Sequence, residues 1–241
     1  MRFNGRLHAL CFLIAAVLLF SSGCGFYSER RIIQKGKKML SQKEKKVEEL
    51  EEIRGSLKRV VNMKLQSVSL LESVNRLLGR KYMEVGSYNL AEEALLEAQF
   101  LQPHNAYIKK DIAECYYFLG ISTVESAERE DYFENSRIYY AKALDLEPGL
   151  MEAKYGLGIL LFFGLEDVFG AIEIMKEILQ EDAGNVEAHF ALGRFYYEIG
   201  ELGRALGEYI ELTKILSKSS PRRKKAEENI LKINVELGTN G

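Results

Sequence analysis

The residues of this 241-residue chain best suited to hold a metal or attack a substrate are three histidines and three cysteines. A zinc site needs such ligands at set spacings, and a nucleophile needs a base within hydrogen-bond reach. His8, His104 and His189 do not stand with cysteines and acids at metal-ligand spacing. Cys11 lies in an apolar run, Cys24 follows its end, and Cys115 precedes Tyr116 inside a helical pattern, where it reads as a small buried hydrophobe. Each glycine falls at a turn or a packing position, so no phosphate-cradling loop is present, and the nucleophile-elbow pattern is missing too. Paired acids such as Glu92 and Glu93 read as solvated helix faces. The expectation is a chain with no catalytic residues, no metal and no cofactor, whose chemistry lies in aromatic and charged side chains at helical spacing.

The elements that position them begin with an address. Arg2 and Arg6 precede an uncharged apolar run over residues 7–20. That run is shorter than the about 20 residues a membrane span needs, so 1–23 reads as a targeting segment. Ser21, Ser22 and Gly23 stand just before Cys24, and this resembles the lipobox of bacterial lipoproteins, with Ser21 departing from the usual leucine. The resemblance implies cleavage after residue 23, acylation of Cys24 and a lipid-anchored place in the bacterial cell envelope. Gly25, where an aspartate favours retention at the inner membrane, points to the outer membrane with the chain facing the periplasm. An ordinary secretory signal and an uncleaved anchor are the other readings. Residues 24–43 follow as a basic tether with Arg30, Arg31, Lys35, Lys37, Lys38 and Lys43. It either lies along anionic headgroups or holds the rest off the surface. Without interleaved aromatics it is no nucleic-acid site.

From 44 to 71 the pattern is helical, with Gly55-Ser56 as a candidate break. Then a motif recurs. Gly79, Ala113, Gly158 and Gly193 follow one another at 34, 45 and 35 residues, while Ala91, Ser136, Ala171 and Ala205 follow at 45, 35 and 34. Both series locate one insertion, 121–135, which carries no Pro or Gly and is expected to lengthen two helices. Leu78-Gly79, Tyr82, Ala91, Ala98 and Pro103, and likewise Leu192-Gly193, Tyr196, Ala205 and Tyr209, resemble the tetratricopeptide repeat. Four repeats are expected over 72–217, at 72–105, 106–150, 151–185 and 186–217. A capping helix and tail over 218–241 start at Pro221. The implied fold is all-α: a right-handed superhelical solenoid of helix-turn-helix repeats with flanking N- and C-terminal helices.

In that family the first helix of each repeat lines a concave groove. Carried onto this chain, its positions include Arg76 and Arg80; Tyr107, Lys110, Tyr117 and Phe118; Tyr155, Phe162 and Phe163; and Phe190, Arg194 and Tyr197. Aromatic side chains anchor interfaces, and charged neighbours set register. Arg80 and Glu114 stand where the family's carboxylate clamp needs Asn, so that subtype is not expected. The resemblance implies a non-catalytic scaffold or adaptor that binds a peptide or protein of the envelope. The alternative is an accessory protein holding an apolar small ligand or lipid for a transporter.

Overall fold

A computed structural model of the chain describes residues 27–41 and 47–238. The leader, Cys24 and the end of the tail lie outside them. Among the described residues every regular element is a helix, and the chain divides into two compact units after Leu70.

In the first unit, α1 (27–40) packs antiparallel on the start of α2 (Val47–Glu84). Gly36 sits over Leu57 and Ile53, Met39, Ile53 and Val60 are buried, and Lys35 Nζ donates to Glu52 at 2.9 Å. Glu29 lies 3.9 Å from Lys64. The expected basic tether is therefore a helix over 27–40, because its apolar residues find partners on α2. Gly55-Ser56 does not break α2. Good helix formers flank the pair, and the first proline of the chain is Pro103. As a result the segment expected as a separate helix is one 38-residue rod with the first helix of the first repeat.

The second unit is a file of helices: the end of α2, then α3 (Tyr88–Leu101), α4 (Ala106–Ser122), α5 (Ser126–Leu146), α6 (Met151–Phe163), α7 (Val168–Glu181), α8 (Val186–Glu198), α9 (Leu202–Ile215) and α10 (Pro221–Glu236). From α3 onward each helix packs on the next, and α4 also meets α6, as α6 meets α8. The first helices of successive repeats thus form one row. Turn chemistry sets the boundaries. Gly86 and Gly200 adopt φ of +72° and +79° just past α2 and α8, a conformation that glycine takes without cost. Asn105 and Asn185 cap α4 and α8 through their side chains.

Small residues let paired helices approach. Gly79 faces Leu95, Gly158 faces Met175, and Gly193 faces the Tyr209 ring. At the equivalent place in the second repeat, Ser136 Oγ donates to the Ala113 carbonyl at 2.7 Å. The insertion adds turns to both of its helices: α4 has 17 residues and α5 has 21, against 13 and 14 in α6 and α7. Phe133, within the insertion, is buried against Gly120. His189 bridges two helices and a turn, with Nδ1 2.7 Å from Glu208 on α9 and Nε2 3.1 Å from the Ala183 carbonyl.

Candidate binding cleft

The row of α4, α6 and α8 borders a cleft of about 680 Å³. Tyr117 and Phe118 of α4, Tyr155 and Phe163 of α6 and Arg194 of α8 line it, together with Lys110, Glu114, Glu152 and Glu187. Among the groove residues read from sequence, the structure brings together Lys110, Tyr117, Phe118, Tyr155, Phe163 and Arg194. Ile159, also at a first-helix groove position, joins them, and the structure adds Tyr140, Met151, Gly156, Ile178 and Asn185, which those positions did not supply. Tyr140 comes from α5, a second helix. It enters because Gly156 opposite has no side chain, and a Cβ there would strike the Tyr140 hydroxyl. Complementary bulk and absence at 140 and 156 was the signal available in sequence.

The other expected groove residues are not in the cleft. Arg76 donates from Nε to Asp111 Oδ2 at 2.6 Å, and its guanidinium lies over the Tyr107 ring at 5.4 Å. Arg80 is exposed. Phe162 stacks on Phe195 with centroids 4.1 Å apart and rings 5° from parallel, so it belongs to the core between α6 and α8. Phe190 packs against Tyr209 under the Arg222 guanidinium, and Tyr197 donates to Glu236 at 2.5 Å beneath Lys232. Those last contacts come from α10. The C-terminal helix thus covers Phe190 and Tyr197, while Arg194 and Glu187 of the same repeat still line the cleft.

Burial decides which charges are free. Asp111 is completely buried and pairs with Arg76 and with Lys110, whose Nζ lies 2.5 Å from Oδ1 and 3.1 Å from Glu114. Burial alone would lower the Lys110 pKa, but the Asp111 and Glu114 carboxylates outweigh it and hold it above the usual lysine value. A buried carboxylate without such partners is costly, so Arg76 and Lys110 serve the fold first. Arg194 lies over the Phe163 ring at 4.3 Å and near Glu198 at 3.8 Å, while Glu187 is held by Arg222 at 2.7 Å. Glu152 has no hydrogen-bond or ion-pair partner among the described residues. Burial also raises the pKa of Tyr117, Tyr155 and Tyr140, so these hydroxyls keep their protons at neutral pH and can donate to a ligand.

Cys115 is held as a protonated, buried thiol. Burial, with help from Glu92 and Glu114, pushes the Cys115 thiol up to about 12, and its Sγ lies against the Tyr88 carbonyl. Among the described residues no group of three or more His, Cys, Asp and Glu is placed to hold a metal ion.

The tetratricopeptide repeat family model matches residues 162–229, which run from the end of α6 into α10. The fold is a tetratricopeptide solenoid. A thermophilic tetratricopeptide-repeat protein of Thermus thermophilus superposes with a TM-score of 0.61 at 18% identity, over 84% of this chain and 99% of that one. MamA of Desulfovibrio magneticus superposes with a TM-score of 0.54 at 15% identity, over 70% of this chain and 86% of that one. At such identities the likeness shows the fold alone. No curated protein matches the sequence. Among the described residues no helix of this solenoid is long and apolar enough to cross a membrane.

Proposed function

We propose that this tetratricopeptide protein is a non-catalytic adaptor. Through Cys24 it is tethered by lipid in the bacterial envelope, on the periplasmic side of the outer membrane. Its cleft there holds an extended segment of a partner protein. The observation that carries the reading is the cleft itself: aromatic walls from α4 and α6, Arg194 from α8, donor hydroxyls at Tyr140 and Tyr155, and one unpaired carboxylate at Glu152. Helix spacings of about 8–10 Å make three helices span about 18 Å, enough for five or six extended residues. Apolar side chains of that segment pack between Tyr117, Phe118 and Tyr155. Its backbone carbonyls accept from the tyrosine hydroxyls, and a lysine or arginine meets Glu152. The anchor reading rests on the residues around Cys24.

The test uses the full chain in its native cells with a photo-crosslinking amino acid at Tyr155. The expected adduct is a defined segment of one envelope protein, lost when Phe118→Ala and Glu152→Lys are combined. An adduct with lipid alone, or none in a folded chain, would overturn the adaptor reading, and lipid alone would support the ligand-handling alternative. Cys24→Ala is expected to release the chain from washed membranes. Its retention there would refute the lipid anchor.

A further inference from the structure

The second unit ends in two faces of unlike chemistry, and every chain carries both. At its start, α2 and α3 form a hollow of about 530 Å³ lined by Leu71, Leu96, Phe100 and Leu101, by Glu93 and Glu97, and by Asn75, whose Nδ2 donates to Glu97 at 3.1 Å. Phe100 is 86% exposed and Leu71 50%. Helix α3 has acids at Glu92, Glu93 and Glu97 and no basic residue. At the other end, α10 buries Ala226 and Ile233 against the last repeat and turns Leu231 and Val235 outward, 67% and 58% exposed. Lys224 lies on the same outward stripe, since 224, 228, 231 and 235 follow helical spacing, and Glu228 on that stripe is offset by Lys225 at 3.9 Å. The helix carries Arg222, Arg223, Lys224, Lys225 and Lys232 against Glu227, Glu228 and Glu236.

We propose that these faces bind one another between copies of the chain, with α10 of one copy lying in the α2–α3 hollow of the next. In a solenoid each helix pair is stabilised by the helix stacked on it, as α9 is by α10. The face of α2 and α3 in the second unit presents the apolar hollow that such a helix fills. Leu231 and Val235 meet Phe100, Leu71 and Leu96, and Lys224 meets the Glu93–Glu97 rim. Charge selects this pairing over a symmetric one. Two copies joined hollow to hollow would set Glu93 and Glu97 against their own counterparts, whereas hollow to α10 sets an acidic rim against a helix with five bases and three acids. The contact is heterologous, so it leaves one free face at each end and extends into a chain of copies. It uses no residue of the α4–α6–α8 cleft and stands apart from the adaptor reading.

The test blocks each face in turn on the full chain, purified in mild detergent and followed by sedimentation velocity. Phe100→Asp disables the hollow and Leu231→Asp disables α10; both positions are exposed, so helix content should be unchanged. The wild-type mass is expected to rise with concentration, and each variant alone to remain a monomer. A mixture of the two variants is expected to give a 1:1 dimer and nothing larger, because each retains one working face. A wild type that stays monomeric, a variant that still grows alone, or a mixture that stays monomeric would each overturn the proposal.

Discussion

One chemical change, glycine to alanine, should act with three different outcomes at three helical positions of this protein. Alanine is favoured over glycine in a helix interior by about 1 kcal/mol, so the local term stabilises every time. What opposes it is the space that a Cβ meets. At Gly207 on α9 nothing lies within 4 Å, and Gly207→Ala should therefore stabilise by about 0.5–1 kcal/mol. At Gly158 the obstacle is the terminal methyl of Met175, with Ile174 next at 3.5 Å. A methionine end swings aside readily, so its displacement roughly cancels the helical gain and Gly158→Ala should be close to neutral. At Gly193 the obstacle is the Tyr209 ring, with atoms at 2.8, 2.9 and 3.1 Å. That ring is buried and packed edge-on against Phe190, so it cannot move without its neighbours. Overpacking of this kind costs about 1–3 kcal/mol, which leaves Gly193→Ala destabilised by up to about 2 kcal/mol. The spread between Gly207→Ala and Gly193→Ala is then about 1–3 kcal/mol, or roughly 2–12 °C in Tm for a chain of this size. Urea and thermal unfolding followed by circular dichroism measure it. A Gly193→Ala protein as stable as Gly207→Ala would refute the claim that the α8–α9 contact is closed around the Tyr209 ring.

Two further expectations follow from the buried groups. Arg76→Met should destabilise more than Asp111→Leu, because the first leaves a fully buried carboxylate with Lys110 alone, whereas the second leaves Lys110 with its Glu114 partner and leaves a guanidinium whose side chain is 27% exposed and can reach water. Urea unfolding of both variants decides it, and the reverse order would show that Lys110 suffices for Asp111. Stability should also fall as pH rises from about 9 towards 12. The unfolded Cys115 thiol loses its proton near its ordinary value while the buried one keeps it up to about 12, so the unfolded state binds fewer protons across that window. Cys115→Ala should flatten the alkaline decline, by up to about 1.4 kcal/mol for each pH unit, and an unchanged slope would refute the burial of that thiol.

The solenoid was legible in the chain because repeat register is local and periodic. The spacing of Gly79, Ala113, Gly158 and Gly193 fixed which residues face a partner helix, and it located the insertion. Pro221, Gly86 and Gly200 marked ends and turns whose backbone demands are properties of single residues. Non-local competition was not legible. From sequence Phe162 and Phe163 are equivalent neighbours, yet one stacks flat on Phe195 and the other reaches the cleft. Arg76 and Lys110 read as groove cations until the buried Asp111 is seen to hold both. Phe190 and Tyr197 read as open groove until α10 is placed over them. The basic stretch after Cys24 reads as tether until Gly36 is found against Leu57. Sequence by itself determined the repeat, its register and the set of aromatic and charged residues from which a cleft could be built, since each depends on spacing along one helix. Only the tertiary structure decided which members of that set remain free, because burial and charge pairing depend on groups that the chain brings together from far apart.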